Sequence, residues 1–420
     1  MLDFNLFKKQ LNKLISFPTV KGEKAPGAPF GYPLKEALDY FLNLAESFGL
    51  KTINYDGFGG EIYVGSGEEV GIIGHLDVVP ASNGWKFPPF SLTEEKGNLF
   101  GRGVEDDKGP MLLVLFALKD LIDNGVKFNK KIRFFVGLDE ENDWGDVAYI
   151  KTKTTLPEYG FSPDGNFPVT YAEKGVYKLS VKLPKSHSYD FIPCGKALNA
   201  VCDYAELKIN GKINEAIAND LGLTVNENKL ISKGVSAHGS SPWLGKNAIK
   251  PLLEYLNADG ESGIKDLLFL FEEENFNFTT EQGKITLSPN LIEEENEGFY
   301  LNIDVRIPAP LKIDVVKEIL EKTSLEFNVI EKLPPVMVEK DGWFITSILS
   351  AYKTVTKEEN AKAEAMGGST FGRAFNKGCS FGISKEGMSG NIHGDNEWIN
   401  ENWLKKCFEI YRQALYNIVK

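Results

Sequence analysis

The sequence predicts an α/β protein in which a discontinuous domain with a mostly parallel sheet is interrupted by an inserted α+β domain. Strand and helix patterns alternate through the first part of the chain, which is typical of parallel strands covered by helices on both faces. From residue 176 onwards, strands with alternating polar and apolar residues mostly follow one another without helices, which favours an antiparallel sheet. After Pro335 the first pattern returns. We therefore expect residues 1–175 and 336–420 to form one domain and residues 176–335 to form the inserted domain.

Apolar periodicity predicts the elements of the first domain in turn. Helices are expected at residues 5–17, 33–49, 108–124, 343–356 and 400–418. Buried strands are expected at residues 70–74, 130–137 and 379–383. In open α/β sheets, sites lie beyond the carboxyl ends of the strands. Polar residues that directly follow these strands are therefore the first candidates for a functional site.

The inserted domain shows the two-residue alternation of half-exposed strands. Strands are expected at residues 177–183, 204–209, 285–291 and 298–307. Helices are expected at residues 246–256 and 313–323. Because the strands are mostly not separated by helices, we expect one antiparallel sheet with helices beside it.

Composition excludes several classes of protein. The 47 basic and 59 acidic residues give a net charge of −12, which argues against a nucleic-acid partner held through phosphate contacts. No apolar run approaches the roughly 18 residues of a membrane span, and the first 17 residues have a helical period rather than the pattern of a signal peptide. None of the four cysteines forms a C-x-x-C pair. We therefore expect a cytoplasmic protein without a membrane or nucleic-acid partner.

Five stretches carry polar residues at predicted strand ends or near the end of the chain. They are HLD from His75, GRGVEDDKGP from Gly101, LDEEND from Leu138, FSPDGNFP from Phe161 and SGNIHGDNEWI from Ser389. Each also has a structural interpretation: the acids could cap a helix or form a solvated turn. Three consecutive acids after a buried strand are nevertheless unfavourable unless a cation compensates them.

Taken together, the stretches offer two histidines and three or four carboxylates. This set suits a pair of divalent metals bridged by a carboxylate. Two metals roughly 3.5–4 Å apart can activate a water and polarise a carbonyl. A carboxylate that stays uncoordinated can act as the general base. Glu140 and Glu141 could divide these two duties between them.

In this order, HLD, GRGxxDDKGP, DEE, SPD and a late H-x-x-NE resemble the M20 family of metallopeptidases, with the closest match to dipeptidases of the PepV and carnosinase type. The resemblance implies two divalent metal ions, zinc by preference, with manganese or cobalt as alternatives. It implies that Asp106 bridges them and that the peptide bond after it is cis. His75 and Asp164 would hold one ion, and Glu141 and His393 the other. Glu140 would be the general base, and Asp77 would orient His75.

The resemblance extends into the inserted domain. GVSAHGSSPWLGKNA resembles the family's lid motif, which implies that His238 polarises the scissile carbonyl. Asn199 would assist it, although Cys202 stands where family members usually have proline. Arg306 would grip a substrate carboxylate, and the Gly-rich turn with Gly368 and Ser369 would lie beside the substrate. The insert is shorter than the lid of the longest monomeric dipeptidases, which leaves both a monomer and a homodimer open.

We therefore predict a metallodipeptidase that acts on small peptides. A metal-bridging water would attack the peptide carbonyl, with Glu140 taking its proton. The main alternative is a deacylase of N-acyl amino acids or of succinyl-diaminopimelate, which would use the same chemistry without a site for a free amine. A catalytically inactive binding protein is a third possibility. It would require the loss of a ligand or of the base, and the sequence retains all of them.

Overall fold

The computed structural model describes residues 2–276, 278–295 and 298–420. The chain forms two compact units. The first unit contains Met1–Tyr171, Met337–Glu364 and Ser369–Lys420, and the second contains Ala172–Val336 and Ala365–Gly368. No described helix is both long and apolar enough to cross a membrane.

Before the chain first crosses to the second unit, it begins with two helices, which are followed by strands and further helices. These elements are α1 (Phe4–Ile15), α2 (Tyr32–Ser47), β1 (Lys51–Asn54), β2 (Gly60–Val64), β3 (Glu69–His75), β4 (Thr93–Glu95), β5 (Asn98–Phe100), α3 (Lys108–Asp123), β6 (Lys131–Gly137), α4 (Gly145–Lys153), β7 (Tyr159–Ser162) and β8 (Thr170–Glu173).

The second unit is built mainly from strands. Its elements are β9 (Gly175–Lys182), β10 (Tyr189–Phe191), β11 (Tyr204–Ile209), α5 (Glu215–Asp220), β12 (Thr224–Asn226), β13 (Lys229–Lys233), α6 (Ile249–Ala258), α7 (Lys265–Phe271), β14 (Thr279–Thr280), β15 (Gly283–Lys284), β16 (Thr286–Glu295), β17 (Gly298–Ile307), α8 (Val315–Leu320) and β18 (Phe327–Leu333). The chain then continues with β19 (Val336–Met337), α9 (Trp343–Thr356), β20 (Glu364–Met366), β21 (Lys377–Ser380), β22 (Ser389–Gly390), β23 (Trp398–Asn400) and α10 (Glu401–Val419).

A parallel core of four strands, in the order β6-β3-β7-β21, forms the centre of the sheet in the first unit. Ile72 of β3 lies opposite Phe134 of β6 and Phe161 of β7, so the apolar run predicted as a strand is buried between two neighbours. The hairpin of β1 and β2 extends the sheet beside β6 with antiparallel pairing. These observations confirm the predicted α/β class with a mostly parallel sheet.

The carboxyl end of β3 is shaped by a glycine. A Cβ at Gly74 would lie 2.2 Å from Asp107 Oδ2, so only glycine allows Asp107 to pack there. The same oxygen accepts a hydrogen bond of 3.2 Å from the backbone N–H of His75. The glycine therefore lets the start of α3 approach the end of β3, which brings the loop after β3 and the loop before α3 together.

A small antiparallel sheet in the order β22-β23-β5-β4 also lies in the first unit. Ile399 of β23 pairs with Leu99 of β5, and both side chains are buried. This sheet joins the chain just before Gly101 to the chain just after Glu397. The sequence analysis did not predict it because each of its strands has three residues or fewer.

The sheets of the second unit differ from the sequence prediction. We expected one antiparallel sheet, and the structure has two four-stranded antiparallel sheets, β16-β17-β9-β18 and β10-β11-β13-β12, together with the β14–β15 pair. The predicted strands at residues 204–209 and 298–307 have the expected bounds, but they belong to different sheets. Periodicity identifies a strand without identifying its partner, because pairing is decided by packing over long sequence separations.

Candidate metal centre

His75 is the last residue of β3, and its imidazole is fully buried. Its Nδ1 lies 3.0 Å from the backbone oxygen of Asp77 and 3.2 Å from Asp77 Oδ1. The contact that satisfies hydrogen-bond geometry is the one to the backbone oxygen. This contact assigns the Nδ1 proton and leaves the Nε2 lone pair directed at other groups. Asp77 thus orients the ring through its main chain, with its carboxylate beside it.

Asp106 precedes α3 and lies between the two histidines that the sequence singled out. His75 Nε2 lies 3.1 Å from Asp106 Oδ1, and His393 Nε2 lies 3.0 Å from Asp106 Oδ2. The two oxygens of one carboxylate therefore face different imidazoles. The Asp106–Asp107 peptide bond is cis, as the resemblance implied.

The remaining ligand candidates complete two groups that share Asp106. His75, Asp106 and Asp164 form the first group, in which Asp164 Oδ2 lies 3.7 Å from His75 Nε2. Asp106, Glu141 and His393 form the second, in which Glu141 Oε1 lies 3.0 Å from His393 Nε2. The structure thus brings together all five side chains predicted as ligands.

Glu140 and Glu141 lie in the turn after β6, which polar contacts hold in place. Asp77 Oδ2 accepts a hydrogen bond of 3.0 Å from the Glu141 N–H, and the Trp144 indole donates to the Glu140 carbonyl at 3.0 Å. Neither ligand group includes Glu140. Its carboxylate interacts electrostatically with His75, Asp164 and Glu141, so it lies beside the cluster.

The residues present fit a pair of divalent cations. His75 Nε2 is buried and makes no hydrogen bond with any described residue, although carboxylate oxygens of Asp106 and Asp164 lie 3.1 and 3.7 Å from it. A buried polar atom without a hydrogen bond is unfavourable unless another partner satisfies it. Imidazole nitrogen and carboxylate oxygen are ligands that zinc, manganese and cobalt accept. A metal at each group would satisfy this nitrogen and would neutralise the crowded carboxylates.

The electrostatics of the cluster agree with this fit. Burial and the neighbouring Asp106 raise the pKa of Glu141 and of Asp164. Burial, with the charges of Asp164, Glu141 and Asp106, raises the pKa of Glu140 well above its ordinary value despite the opposing effect of His75. Burial opposes charge on His393, but Asp106 and Glu141 outweigh it and raise its pKa to about 11. Without a cation the cluster therefore holds protons that metal ions would displace.

His238 lies in the second unit, in the loop after β13, and its protonation follows from its contacts. The Ser240 backbone N–H donates to His238 Nδ1 at 3.1 Å, and Ser240 Oγ lies 2.7 Å from the same atom. A backbone N–H can only donate, so Nδ1 accepts. In the neutral ring the proton is therefore on Nε2. The loop gives His238 the tautomer that donates from Nε2, as the polarisation of a carbonyl requires.

Arg306 lies on β17, and an acid two residues earlier binds its guanidinium. Its Nε and one terminal nitrogen contact the two oxygens of Asp304 at 2.8 and 2.9 Å, and the other terminal nitrogen donates to the Gly367 carbonyl at 3.2 Å. The structure shows a two-pronged contact of Arg306 with Asp304, and its contact with a substrate carboxylate stays a prediction. Sequence analysis missed Asp304, although the alternation of DVR places both residues on one face of the strand.

The other residues predicted to contact substrate are held through local contacts. The carbonyl of Asn199 accepts a hydrogen bond of 2.6 Å from the Gly239 N–H, and the Asn199 side chain is exposed. Gly368 follows β20. Ser369 Oγ accepts a hydrogen bond of 3.2 Å from Arg373. These contacts place Asn199 next to the His238 loop within the second unit and leave the roles of Gly368 and Ser369 as predictions.

Comparison with known proteins identifies the family. The model of "Peptidase family M20/M25/M40" matches residues 71–417, which include all five ligand candidates. The chain belongs to this peptidase family. Family membership agrees with the metal centre that the geometry offers.

Relatives of the M20 family match nearly the whole chain. "Putative dipeptidase YtjP" of Bacillus subtilis is 30% identical over 431 residues, covering 94% of this chain and 93% of the relative. Human carnosine dipeptidase 1 has the same fold, with a TM-score of 0.63 at 15% identity, and the match covers 99% of this chain and 96% of that one. Dug1p of Saccharomyces cerevisiae, described as a di-peptidase, matches with a TM-score of 0.61 at 15% identity over 99% and 96% of the two chains.

Two buried acids that support the M20 centre were not singled out from the sequence. Asp146, at the start of α4, accepts hydrogen bonds from the N–H groups of Leu138 and Asp139 at 2.6 and 3.0 Å, which fixes the turn before Glu140. Burial raises the pKa of Asp146 to about 7. Glu397 binds the loop before Asp106. The motif H-x-x-NE contains Glu397, but the sequence of the motif does not indicate which loop the Glu397 side chain binds.

Proposed function

We propose that this chain is a dipeptidase that uses two divalent metal ions, with zinc as the preferred metal and manganese or cobalt as alternatives. The observation that carries the proposal is the sharing of Asp106 between two ligand groups, with Glu140 beside the cluster and outside both. A shared carboxylate suits a pair of metals, and an uncoordinated one suits a general base.

The ligands divide between two proposed positions. His75 and Asp164 would hold the first ion, Glu141 and His393 the second, and Asp106 both. Bound metal ions would lower the pKa of a water and polarise the peptide carbonyl. The Asp77 and Asp146 contacts fix the turns that carry these ligands, which is the usual role of residues behind a metal ligand.

Glu140 would carry the proton through the reaction. Its carboxylate removes a proton from the attacking water and returns it to the nitrogen of the leaving amine. Burial of this carboxylate, the largest cause of its raised pKa in the metal-free cluster, favours the protonated form that it takes after accepting the proton of the water. Trp144, which binds the Glu140 carbonyl, keeps the residue in place without occupying its carboxylate.

The second unit would supply the groups that recognise the substrate. His238, with its proton on Nε2, donates to the carbonyl oxygen as negative charge develops there, and Asn199 assists. Arg306 would bind the C-terminal carboxylate of the peptide with the N–H groups that Asp304 does not use. Gly368 and Ser369 would contact the peptide backbone. We propose residues 1–175 and 336–420 as the catalytic domain and residues 176–335 as the lid.

A dipeptide substrate is supported by the relatives. YtjP, carnosine dipeptidase 1 and Dug1p are all described as dipeptidases. We place the enzyme in the cytoplasm, where small peptides from protein breakdown would be its substrates and where free cysteines such as the described Cys379 and Cys407 are stable. The assembly is a monomer or a homodimer.

Purified enzyme assayed on a panel of dipeptides and on their N-acetylated counterparts tests the proposal. A dipeptidase should hydrolyse free dipeptides, lose the activity after chelation and regain it with a divalent transition metal. N-acetylation of a good substrate should abolish turnover. Faster hydrolysis of the N-acetylated compounds would identify a deacylase instead, and full activity after exhaustive removal of metal would exclude the two-metal mechanism.

A further inference from the structure

A buried ion pair lies directly behind the candidate metal centre. Arg102 is four residues before Asp106, and Glu397 is four residues after His393. The Arg102 guanidinium contacts Glu397 Oε2 at 2.9 Å, and the Glu397 side chain has no exposed surface. Burial of such a pair costs desolvation energy, so the pair need not stabilise the fold. A role other than stability can therefore explain its presence.

The carboxylate of Glu397 binds the loop that ends at Asp106. Its oxygens accept hydrogen bonds from the backbone N–H groups of Gly103, Glu105 and Asp106 at 2.9, 2.8 and 3.1 Å. The last of these is the backbone of the shared ligand itself. The Glu397 side chain therefore fixes the main chain of Asp106, although the two residues are 291 positions apart in the sequence.

The guanidinium of Arg102 binds the opposite loop. One terminal nitrogen contacts Glu397, and the other donates to the Gly394 carbonyl at 3.0 Å. Gly394 directly follows His393. The guanidinium also stacks on Trp85, 5.2 Å from the ring centroid, which a lysine ammonium would do less well.

We infer that Arg102 and Glu397 are positioning residues that lock the loop of Asp106 to the loop of His393, so that both ligands meet the same ion. The inference rests on the proposed two-metal function. Asp106 and His393 are far apart in the sequence, and each loop would otherwise have to be ordered when the metal binds. Groups behind metal ligands typically contribute 10–100-fold in metal affinity.

A second buried ion pair in the same unit provides a matched control. Arg133 contacts the two oxygens of Glu61 at 2.7 Å each, and its further partners are Glu69, Thr154 and Thr155. None of these residues is a ligand candidate. Glu61→Gln should therefore lower stability as Glu397→Gln does, without reaching the metal centre.

The test is a Co²⁺ titration of metal-free wild type, Glu397→Gln, Arg102→Lys and Glu61→Gln, followed by visible absorption and by metal analysis. Wild type should bind two ions per chain. Glu397→Gln and Arg102→Lys should bind one ion 10–100-fold more weakly than wild type and the other with a smaller loss, because both ligand groups share Asp106. Glu61→Gln should keep both wild-type affinities. Thermal unfolding of the metal-free proteins measures the loss of stability separately.

Wild-type affinities for both ions in Glu397→Gln and Arg102→Lys would overturn the inference while leaving the two-metal function intact. An equal loss in Glu61→Gln would also overturn it, because general destabilisation would then explain the effect. If Glu397→Gln does not fold, Arg102→Lys decides, since it keeps the three backbone contacts of Glu397. Wild type that binds fewer than two ions would refute the two-metal function and the positioning role together.

Discussion

The carboxylate of Asp77 accepts a hydrogen bond of 3.0 Å from the backbone N–H of Glu141. The same residue contacts His75 Nδ1 through its backbone oxygen at 3.0 Å. Asp77 thus connects the end of β3 to the turn after β6. One acid therefore holds a candidate ligand of each proposed metal, although Glu141 lies 64 residues further along the sequence.

Asp77→Asn should weaken both metal positions. An amide can accept the bond from Glu141 only by turning its NH₂ group towards His75 Nδ1, which already carries a proton. We expect a 10–100-fold loss in metal affinity or in kcat/KM. Asp143→Asn is the control, because Asp143 lies in the same turn with its side chain 84% exposed and should change activity less than twofold. Equal behaviour of the two variants would show that the Asp77 link is unimportant.

Glu140→Gln should separate metal binding from proton transfer. The amide has the shape of the carboxylate but cannot take a proton, so kcat should fall by several orders of magnitude. Because Glu140 belongs to neither ligand group, metal analysis should still find two ions per chain. Turnover near that of wild type would refute the role of Glu140 as base, and loss of a metal would indicate that it is a ligand.

The tautomer of His238 predicts a difference between two amide substitutions. Gln places its NH₂ group near the position of the Nε2 proton, whereas Asn places it near Nδ1. Loss of a donor to a developing oxyanion costs about 10²–10³ in kcat. We expect His238→Asn to show this loss and His238→Gln to retain about tenfold more activity. Equal activities measured on one dipeptide would contradict the assignment of Nε2 as the donor.

Arg306→Lys tests recognition of the peptide's C-terminus. Lysine keeps the charge but cannot bind Asp304 and a substrate carboxylate in the same planar geometry. The change should lower kcat/KM by an amount equivalent to roughly 2–4 kcal/mol of transition-state stabilisation, which is the cost of breaking a desolvated charge pair. Amidation of the dipeptide should cost wild type a similar amount and the variant much less. Fully additive losses would mean that Arg306 does not contact the carboxylate.

Much of the first unit was predictable because its signals are local. The buried strands and helices follow from apolar periodicity: α9 has the predicted bounds, and β3 and α3 lie within a residue of them. Strand ends in a parallel sheet lie at one edge, so His75, Glu141 and Asp164 were predictable as neighbours. The assignment of individual ligands came from the family resemblance.

What sequence reasoning missed depends on long-range contacts. The short strands β5 and β23 carry too few residues for a periodic signal, yet they join the loops of Asp106 and His393. Asp304, Asp146 and Glu397 are ordinary acids in the sequence, and their roles appear only once their partners are known. The expected single sheet of the insert was wrong for the same reason, since strand pairing is decided by packing.

Anomalous scattering from crystals of the metal-loaded enzyme tests the two-metal centre most directly. Data collected above and below the absorption edge of the bound metal should show two peaks per chain, roughly 3.5–4 Å apart. The Asp106 carboxylate should lie between them, His75 and Asp164 beside one, and Glu141 and His393 beside the other. A single peak in crystals of fully active enzyme, or two peaks without Asp106 between them, would contradict the account.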